Sequence, residues 1–471
     1  MNFDNSYAAL PAAFHATVSP DKVRAPELLA WNGELARELG LDALDGNAAQ
    51  RARVFGGSDA LEGSQPISMA YAGHQFGHFV PQLGDGRAAL LGEVVTASGQ
   101  RYDIQLKGSG RTPFSRAGDG KSWLGPVLRE YILSEAMHRL GVPTTRALAA
   151  VATGETVVRE SALPGAVFTR VAASHLRVGT FQFFAARGDV ESLKTLADYA
   201  IDRHYPEARD APSPYVGLFR GVVARQARLV AHWMSIGFIH GVMNTDNTAI
   251  SGETIDYGPA AYMDEFRFDK VFSSIDRHGR YAYGNQPSIA QWNLARLADT
   301  LLSLGVEKDE LEAVLAAFSD QYESHFLVLM GPKLGLHELR ESDTDLIVAW
   351  LEYLNDEALD YTLSFRELAT RIDAQDEAQF GPFESKWRQR VSNQGKTSGE
   401  VAALMDSVNP LFIPRNHRVE QAIDEAVRGD LTVFNEMNTV LARPYTEQPE
   451  LADYAKAPME RERVTRTFCG T

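Results

Sequence analysis

From His74 the texture of the chain becomes β-rich. The strands Gln75–Leu83, Ala88–Val95 and Arg101–Lys107, the last alternating strictly through Tyr102-Asp-Ile-Gln-Leu-Lys107, predict a sheet built from hairpins, parted by Gly84-Asp-Gly86 and by Ala97-Ser-Gly-Gln100. A turn at Thr153-Gly-Glu155 predicts a further hairpin. Between them, apolar residues at 127, 128, 131, 132 and 136 predict a helix over roughly 126–140, with Pro126 near its start and Gly141 and Pro143 past its end. Residues 1–70 offer only irregular segments and one helix around 26–39. From about residue 175 the spacing becomes helical. A long apolar-periodic segment at 216–236 is closed by Gly237, and helices follow at 288–305, 308–328, 345–355 and 417–427, joined by loops that carry Pro332, Pro382 and Pro410. No repeat or low-complexity tract is present.

The length of 471 residues suits two or three units at roughly 150 residues each. A hydrophobic fraction of 44% and a charged fraction of 23% belong to an ordinary globular chain. With 46 Lys and Arg against 62 Asp and Glu the net charge is −16, which argues against general binding to a nucleic-acid backbone or an anionic membrane. Any phosphate site must therefore be local. Cys469 is the sole cysteine, so no intramolecular disulfide can form and a reducing compartment is expected. No run of about 18 uncharged apolar residues predicts a membrane span, and Met1-Asn-Phe-Asp-Asn-Ser lacks a signal pattern. The expectation is a cytoplasmic, monomeric enzyme with no nucleic-acid or membrane partner.

The chemistry concentrates at His240-Gly-Val-Met-Asn-Thr-Asp246-Asn247, followed nine residues after Asn247 by Asp256-Tyr-Gly258. A protein kinase orders its catalytic loop and second metal ligand this way, with an Asp base a few residues before the metal-binding Asn. Here Val242 stands at the base position. Asn247 and Asp256 remain as hard oxygen ligands suited to Mg²⁺ or Mn²⁺. Asp246 reads either as a turn residue bonding its own backbone or as a relocated base, and His240 as a structural loop histidine.

Upstream, Lys107 ends its strand where a kinase sheet carries the lysine that pairs with phosphates. Its helix partner is Glu130 or Glu135; at about 100° per residue Glu135 lies nearer the apolar face and Glu130 one turn into the helix, and both stay open. Gly84-Asp-Gly86-Arg87 lets backbone approach phosphate oxygens beside an arginine. Residues 105–122 hold Lys107, Arg111, Arg116 and Lys121 among four glycines, with Asp119 the one acid, a balance that suits a polyphosphate. Arg170 and Arg177 could extend this grip, although each taken singly reads as a surface arginine.

Taken together, Tyr71-Ala-Gly-His-Gln-Phe-Gly-His78, Gln82-Leu-Gly-Asp-Gly-Arg87, Gln105-Leu-Lys-Gly-Ser-Gly-Arg-Thr-Pro-Phe-Ser-Arg116, the His240 loop and Asp256-Tyr-Gly-Pro259 give a chain that resembles the selenoprotein O family over nearly its whole length. The resemblance implies an α+β, protein-kinase-like bilobal fold. Its β-rich N-lobe would span 71–172 and its largely helical C-lobe, with extra helices, 173–471, with residues 1–70 an extension packed on the core. It also implies a protein adenylyltransferase that binds ATP flipped relative to a kinase and moves AMP to Ser, Thr or Tyr hydroxyls of proteins, with UMP transfer left open. By match to the family motifs, Gly84, Gly86, Arg87 and Lys107 contact the nucleotide, as do Asp119, Gly120, Arg170, Arg177 and Asp256. Asn247 and Asp256 bind metal, Asp246 accepts the proton, and Glu130 partners Lys107. Eukaryotic members carry selenocysteine near the C-terminus, a place similar to that of Cys469. Two alternatives remain: a conventional kinase acting through Asp246, and a nucleotide-binding scaffold. Retention of Lys107, Asn247 and Asp256 together favours catalysis.

Overall fold

The structure, a computed structural model, describes residues 2–44, 46–374 and 378–468. In chain order its first strands are β1 (His15–Thr17), β2 (Glu27–Trp31), β3 (Ile67–Met69), β4 (Gly73–Gln75) and β5 (His78–Val80). They are followed by β6 (Ala88–Val95), β7 (Arg101–Lys107), β8 (Ser122–Trp123), β9 (Arg146–Val158) and β10 (Ala162–Ala172). Of these ten, all but β4 and β5 form one antiparallel sheet ordered β1-β3-β6-β7-β10-β9-β2, with β8 also against β10, and a separate two-stranded ladder pairs Phe238–Ile239 with Ala261–Tyr262. Lys107 therefore lies opposite Phe168, and Arg170 opposite Gln105, near the middle of the sheet.

Both faces of this sheet are covered, and the period of two decides which side chain goes where. Ala166 and Phe168 of β10 pack with helix α3 (Leu124–Arg139), while Val167 and Val171 join the cluster of α1 (Gly33–Glu38) and α2 (Ala48–Phe55) on the other side. The remaining helices begin with α4 (Val178–Ala185), α5 (Val190–His204), α6 (Pro214–Ser235), α7 (Gln286–Leu301) and α8 (Lys308–Lys333). After them come α9 (Asp343–Glu357), α10 (Tyr361–Thr370), α11 (Gly381–Ser392), α12 (Ser398–Val408), α13 (Asn416–Val427) and α14 (Thr432–Leu441). Helix α6 runs through the centre of the helical region, where Leu218, Val222, Leu229 and Val230 are buried. Helices α13 and α14 return to the sheet side and cover α3 through Val419, Phe434 and Met437, and Arg129 of α3 pairs with Glu420. No helix among the described residues is long and apolar enough to cross a membrane.

Strands β6 and β7 have the predicted bounds, but four expectations change. The 26–39 segment is not one helix. Leu28-Leu29-Ala30-Trp31 is a continuous apolar run that suits either element, and pairing with Ala149–Ala152 of β9 makes it strand β2. Asn32 then caps the short α1, its side chain accepting Leu35 N–H at 3.1 Å. The 75–83 strand is instead a two-stranded hairpin, β4–β5, outside the main sheet; it turns at Phe76 and Gly77, both left-handed at φ 50° and 85°. At Thr153-Gly-Glu155 strand β9 runs on without a turn. Gly154 (φ 66°) sits beside a register shift between Pro164 and Ala166, a bulge, and the chain reverses at 159–161. Pro332 lies inside the last turn of α8 and Pro382 in the first turn of α11, where its missing N–H has no intrahelical partner to lose, while Pro410 is in a loop.

Candidate active site

A cleft of about 450 Å³ opens between the sheet and the helical region. Three of its basic residues gather around Asp256. This residue holds φ 63°, a left-handed conformation that a non-glycine residue adopts at a cost and that the surrounding ion pairs must enforce. Lys107 Nζ reaches Asp256 Oδ1 at 2.7 Å and Glu130 Oε2 at 2.6 Å. Arg170 Nη1 donates to the same Oδ1 at 2.7 Å, and Arg177 Nη1 donates to Oδ2 at 2.8 Å. Burial opposes ionisation of Asp256, yet Arg170, Lys107 and Arg177 together hold its carboxyl well below the usual range.

These cations are fixed from behind. Gln105 accepts from Arg170 Nε at 2.8 Å, and Tyr71 presents its ring to the Arg177 guanidinium at 4.6 Å. Arg170 and Arg177 are 1% and 3% exposed, so neither is a surface arginine. Glu130 is the lysine's partner. Glu135 instead pairs with Arg146 at 2.9 Å and accepts from Asn32 at 2.8 Å. The helical wheel cannot separate the two because α3 is packed on the sheet and beneath α13 and α14, with no single solvent face.

Asp246 lines the same cleft from a short 3₁₀ turn, 7% exposed. Gln75 Nε2 donates to its Oδ2 at 3.1 Å, while Oδ1 is buried without a partner. Its pKa is pushed up to about 6, chiefly by burial. Val242 lines the cleft nearby and accepts from Asn247 Nδ2 at 2.9 Å through its carbonyl, which leaves Asn247 Oδ1 as the amide atom able to take a cation. With an ionised Asp256 in the same cleft, the donor set fits a hard divalent ion. His240 is buried and bonded to the Ile255 carbonyl at 2.8 Å, a structural role.

The rim is glycine-rich for steric reasons. At Gly84 (φ 76°) an added Cβ would lie 2.4 Å from the Phe114 ring, and at Gly120 (φ 73°) 2.1 Å from the Gly110 carbonyl. Gly86 and Arg87 line the same wall, and the 112–116 loop seats on them, with Thr112 Oγ1 donating to the Asp85 carbonyl at 2.7 Å. Asp119 is tied to Arg159 at 2.9 Å and 3.0 Å, and that bond lowers its pKa. All eleven residues singled out from the sequence, from Gly84 to Asp256, therefore line one cleft. Seven basic side chains face five acidic ones there, in a chain whose net charge is −16.

A family profile described as "Protein adenylyltransferase SelO" matches residues 1–442. The chain is also 56% identical to a protein nucleotidyltransferase YdiU of Rhizobium leguminosarum bv. trifolii (strain WSM2304), covering 100% of this chain and 97% of the relative. It is 56% identical to that of Agrobacterium fabrum, covering 100% of both, and 54% identical to that of Methylorubrum populi, covering 100% and 99%. The chain belongs to the SelO family. It is accordingly a nucleotidyltransferase.

In this SelO-family cleft several positions escaped the sequence reading. The β4–β5 hairpin clamps the His240–Asn247 loop: His74 N–H bonds Thr245 Oγ1 at 2.7 Å, Gln75 holds Asp246, and Phe76 N–H bonds Asn244 Oδ1 at 3.1 Å. The Tyr71–His78 motif carried this signal, but nothing in its spacing said which loop it would meet. Arg159 was hidden because its turn was expected six residues earlier. Thr467, buried, accepts from Ser274 N–H at 3.0 Å and donates through Oγ1 to the Pro259 carbonyl at 2.5 Å, so the C-terminal segment steadies the loop that follows Asp256. Cys469 lies outside the described residues.

Proposed function

We propose that the protein transfers AMP from ATP to Ser, Thr or Tyr hydroxyls of other proteins, with the nucleotide reversed relative to a kinase so that the α-phosphate faces the acceptor. The observation that carries this reading is that one cleft brings the converging cations Lys107, Arg170 and Arg177 together with Asp246, whose Oδ1 has no partner, while Val242 stands at the position of a kinase base. A kinase-like arrangement of 71–172 and 173–471 about this cleft is part of the proposal. The acceptor oxygen attacks the α-phosphorus as its proton passes to Asp246 Oδ1. The bond to the bridging oxygen breaks, and pyrophosphate leaves with the electron pair towards the three cations. Preorganised positive charge aimed at a leaving group is a large catalytic lever in such chemistry. Asn247 and Asp256 would hold Mg²⁺ or Mn²⁺, which when bound supplies charge neutralisation on the phosphates. Gly84, Gly86 and Gly120 let backbone approach the nucleotide, while Arg87 and Asp119 lie where they can contact it.

Label from α-³²P-ATP should enter acceptor proteins and label from γ-³²P-ATP should not. Incorporation of γ-label alone would mean a kinase working through Asp246; binding of ATP with neither label incorporated would mean a scaffold. Lys107→Ala should weaken ATP binding and transfer together, by about 2 kcal/mol, or roughly 30-fold, for a lost charge-assisted contact. Titration of ATP against the variant checks this, since a solvated lysine would change neither quantity.

A further inference from the structure

A second cavity of about 660 Å³ adjoins the cleft, and Phe76 and Ile275 line both. One wall is the β4–β5 hairpin and the other is the segment 275–289. The two walls are tied together through Asn244, whose Oδ1 accepts from Phe76 N–H at 3.1 Å and Tyr281 Oη at 2.6 Å, and the Phe76 and Tyr281 rings lie 5.0 Å apart. Asn244 and Asp246 line the first cleft, and Phe76, which is bonded to Asn244, lines both, so the second cavity adjoins the space in front of Asp246.

The charge of the cavity is one-sided. His78, Arg277, His278 and Arg280 line it, and its one acid, Asp276, is 6% exposed with both carboxylate oxygens spent on Arg280 N–H (2.9 Å) and Tyr281 N–H (2.7 Å). Arg277 and His278 are exposed and carry no ion pair among the described residues. The Arg280 guanidinium lies over Trp292 at 4.8 Å with its Nε buried and unpartnered. Ile275, 58% exposed, stands at the rim the two cavities share. In a chain of net charge −16 such a basic, partly apolar groove beside the acceptor position is complementary to one kind of occupant.

We infer that this cavity is the acceptor-docking groove, and that it selects protein segments in which acidic residues flank the hydroxyl to be modified. The inference rests on the transferase reading above for the identity of its occupant, but its test reads binding on its own. Labelled peptides with one Ser flanked by Asp, Asn or Lys are titrated by anisotropy against the full chain saturated with α,β-methylene ATP, a non-transferable analogue. The Asp peptide should bind about tenfold tighter than the Asn peptide, the Lys peptide weakest, with the differences shrinking at high salt. Arg277→Glu combined with Arg280→Gln should bring the Asp peptide to the level of the Asn peptide while analogue affinity stays unchanged. Arg277→Glu alone, at an exposed and unpaired position, should give about a third of the effect on the logarithmic scale or more. Binding that ignores flanking charge, or a preference that survives the double substitution, overturns the groove. Transfer of α-³²P label to the same peptides is scored separately: absence of label with the charge ranking intact removes the transferase reading and leaves the groove standing.

Discussion

Asp256→Ala should abolish nucleotidyl transfer, by at least about 10³-fold, and should also destabilise the protein in the absence of nucleotide. The second effect follows from the ion pairs. Asp256 is the carboxylate that Lys107, Arg170 and Arg177 share, and removing it leaves two deeply buried guanidinium groups short of a partner, at a cost of about 3 kcal/mol. Glu130 remains as the nearest compensation, 3.4 Å from Arg170 and 2.6 Å from Lys107. A role confined to metal binding would leave the free protein untouched. ATP without a divalent ion should reverse much of the loss, because its phosphates restore the missing negative charge. Thermal unfolding in EDTA, with and without ATP, should therefore give a larger shift for the variant than for the wild type. Equal unfolding midpoints without nucleotide would show that the three cations do not depend on Asp256.

Asp246→Asn should lower the transfer rate by about 10²–10⁴-fold while nucleotide affinity stays near that of the wild type. The side chain is nearly isosteric and Gln75 can still bond it, so what is lost is the ability of Oδ1 to take a proton. In the wild type, kcat/KM should fall on the acid side of about pH 6, where the carboxyl becomes protonated, and this limb should vanish from the residual activity of the variant. The stability consequence has the opposite sense. A carboxyl whose folded pKa is raised stabilises the fold fully below its unfolded pKa, near 3.8, and loses that contribution as pH rises through about 6. The Asn variant cannot ionise, so it should lose less stability than the wild type between pH 4 and 7. A pH-rate profile and parallel denaturant titrations at those two pH values check both statements.

What the sequence made legible was the part governed by local periodicity and by short motifs. Strands β6 and β7, helix α3 and helix α6 announce themselves because each has a regular apolar face or a clear stop signal, and all eleven marked residues meet in one cleft. The failures have a common physical origin in tertiary context. Leu28–Trp31 is apolar enough for either kind of element until a neighbouring strand chooses. Gly154 could serve a turn or a bulge, and the length of the partner strand decides. Helices α10, α11, α12 and α14 are short, and their packing rather than their own spacing stabilises them. The choice between Glu130 and Glu135 turns on α3 being covered on opposite sides by segments nearly 300 residues away, which no wheel drawn from the helix alone contains.

That covering has a bearing on how the enzyme comes into being. The helix that carries Glu130 is closed over by α13 and α14, and its neighbour Arg129 is matched by Glu420, so contacts of very large sequence separation complete the wall behind Lys107. Closing such a loop costs conformational entropy before any contact repays it, and pairings of this kind form slowly. During synthesis the strand ending at Lys107 emerges long before its covering helices. Until α13 and α14 have been made, the apolar side chains of α3 that they cover have no partner from that side, so the wall behind Lys107 is completed only when nearly the whole chain is present.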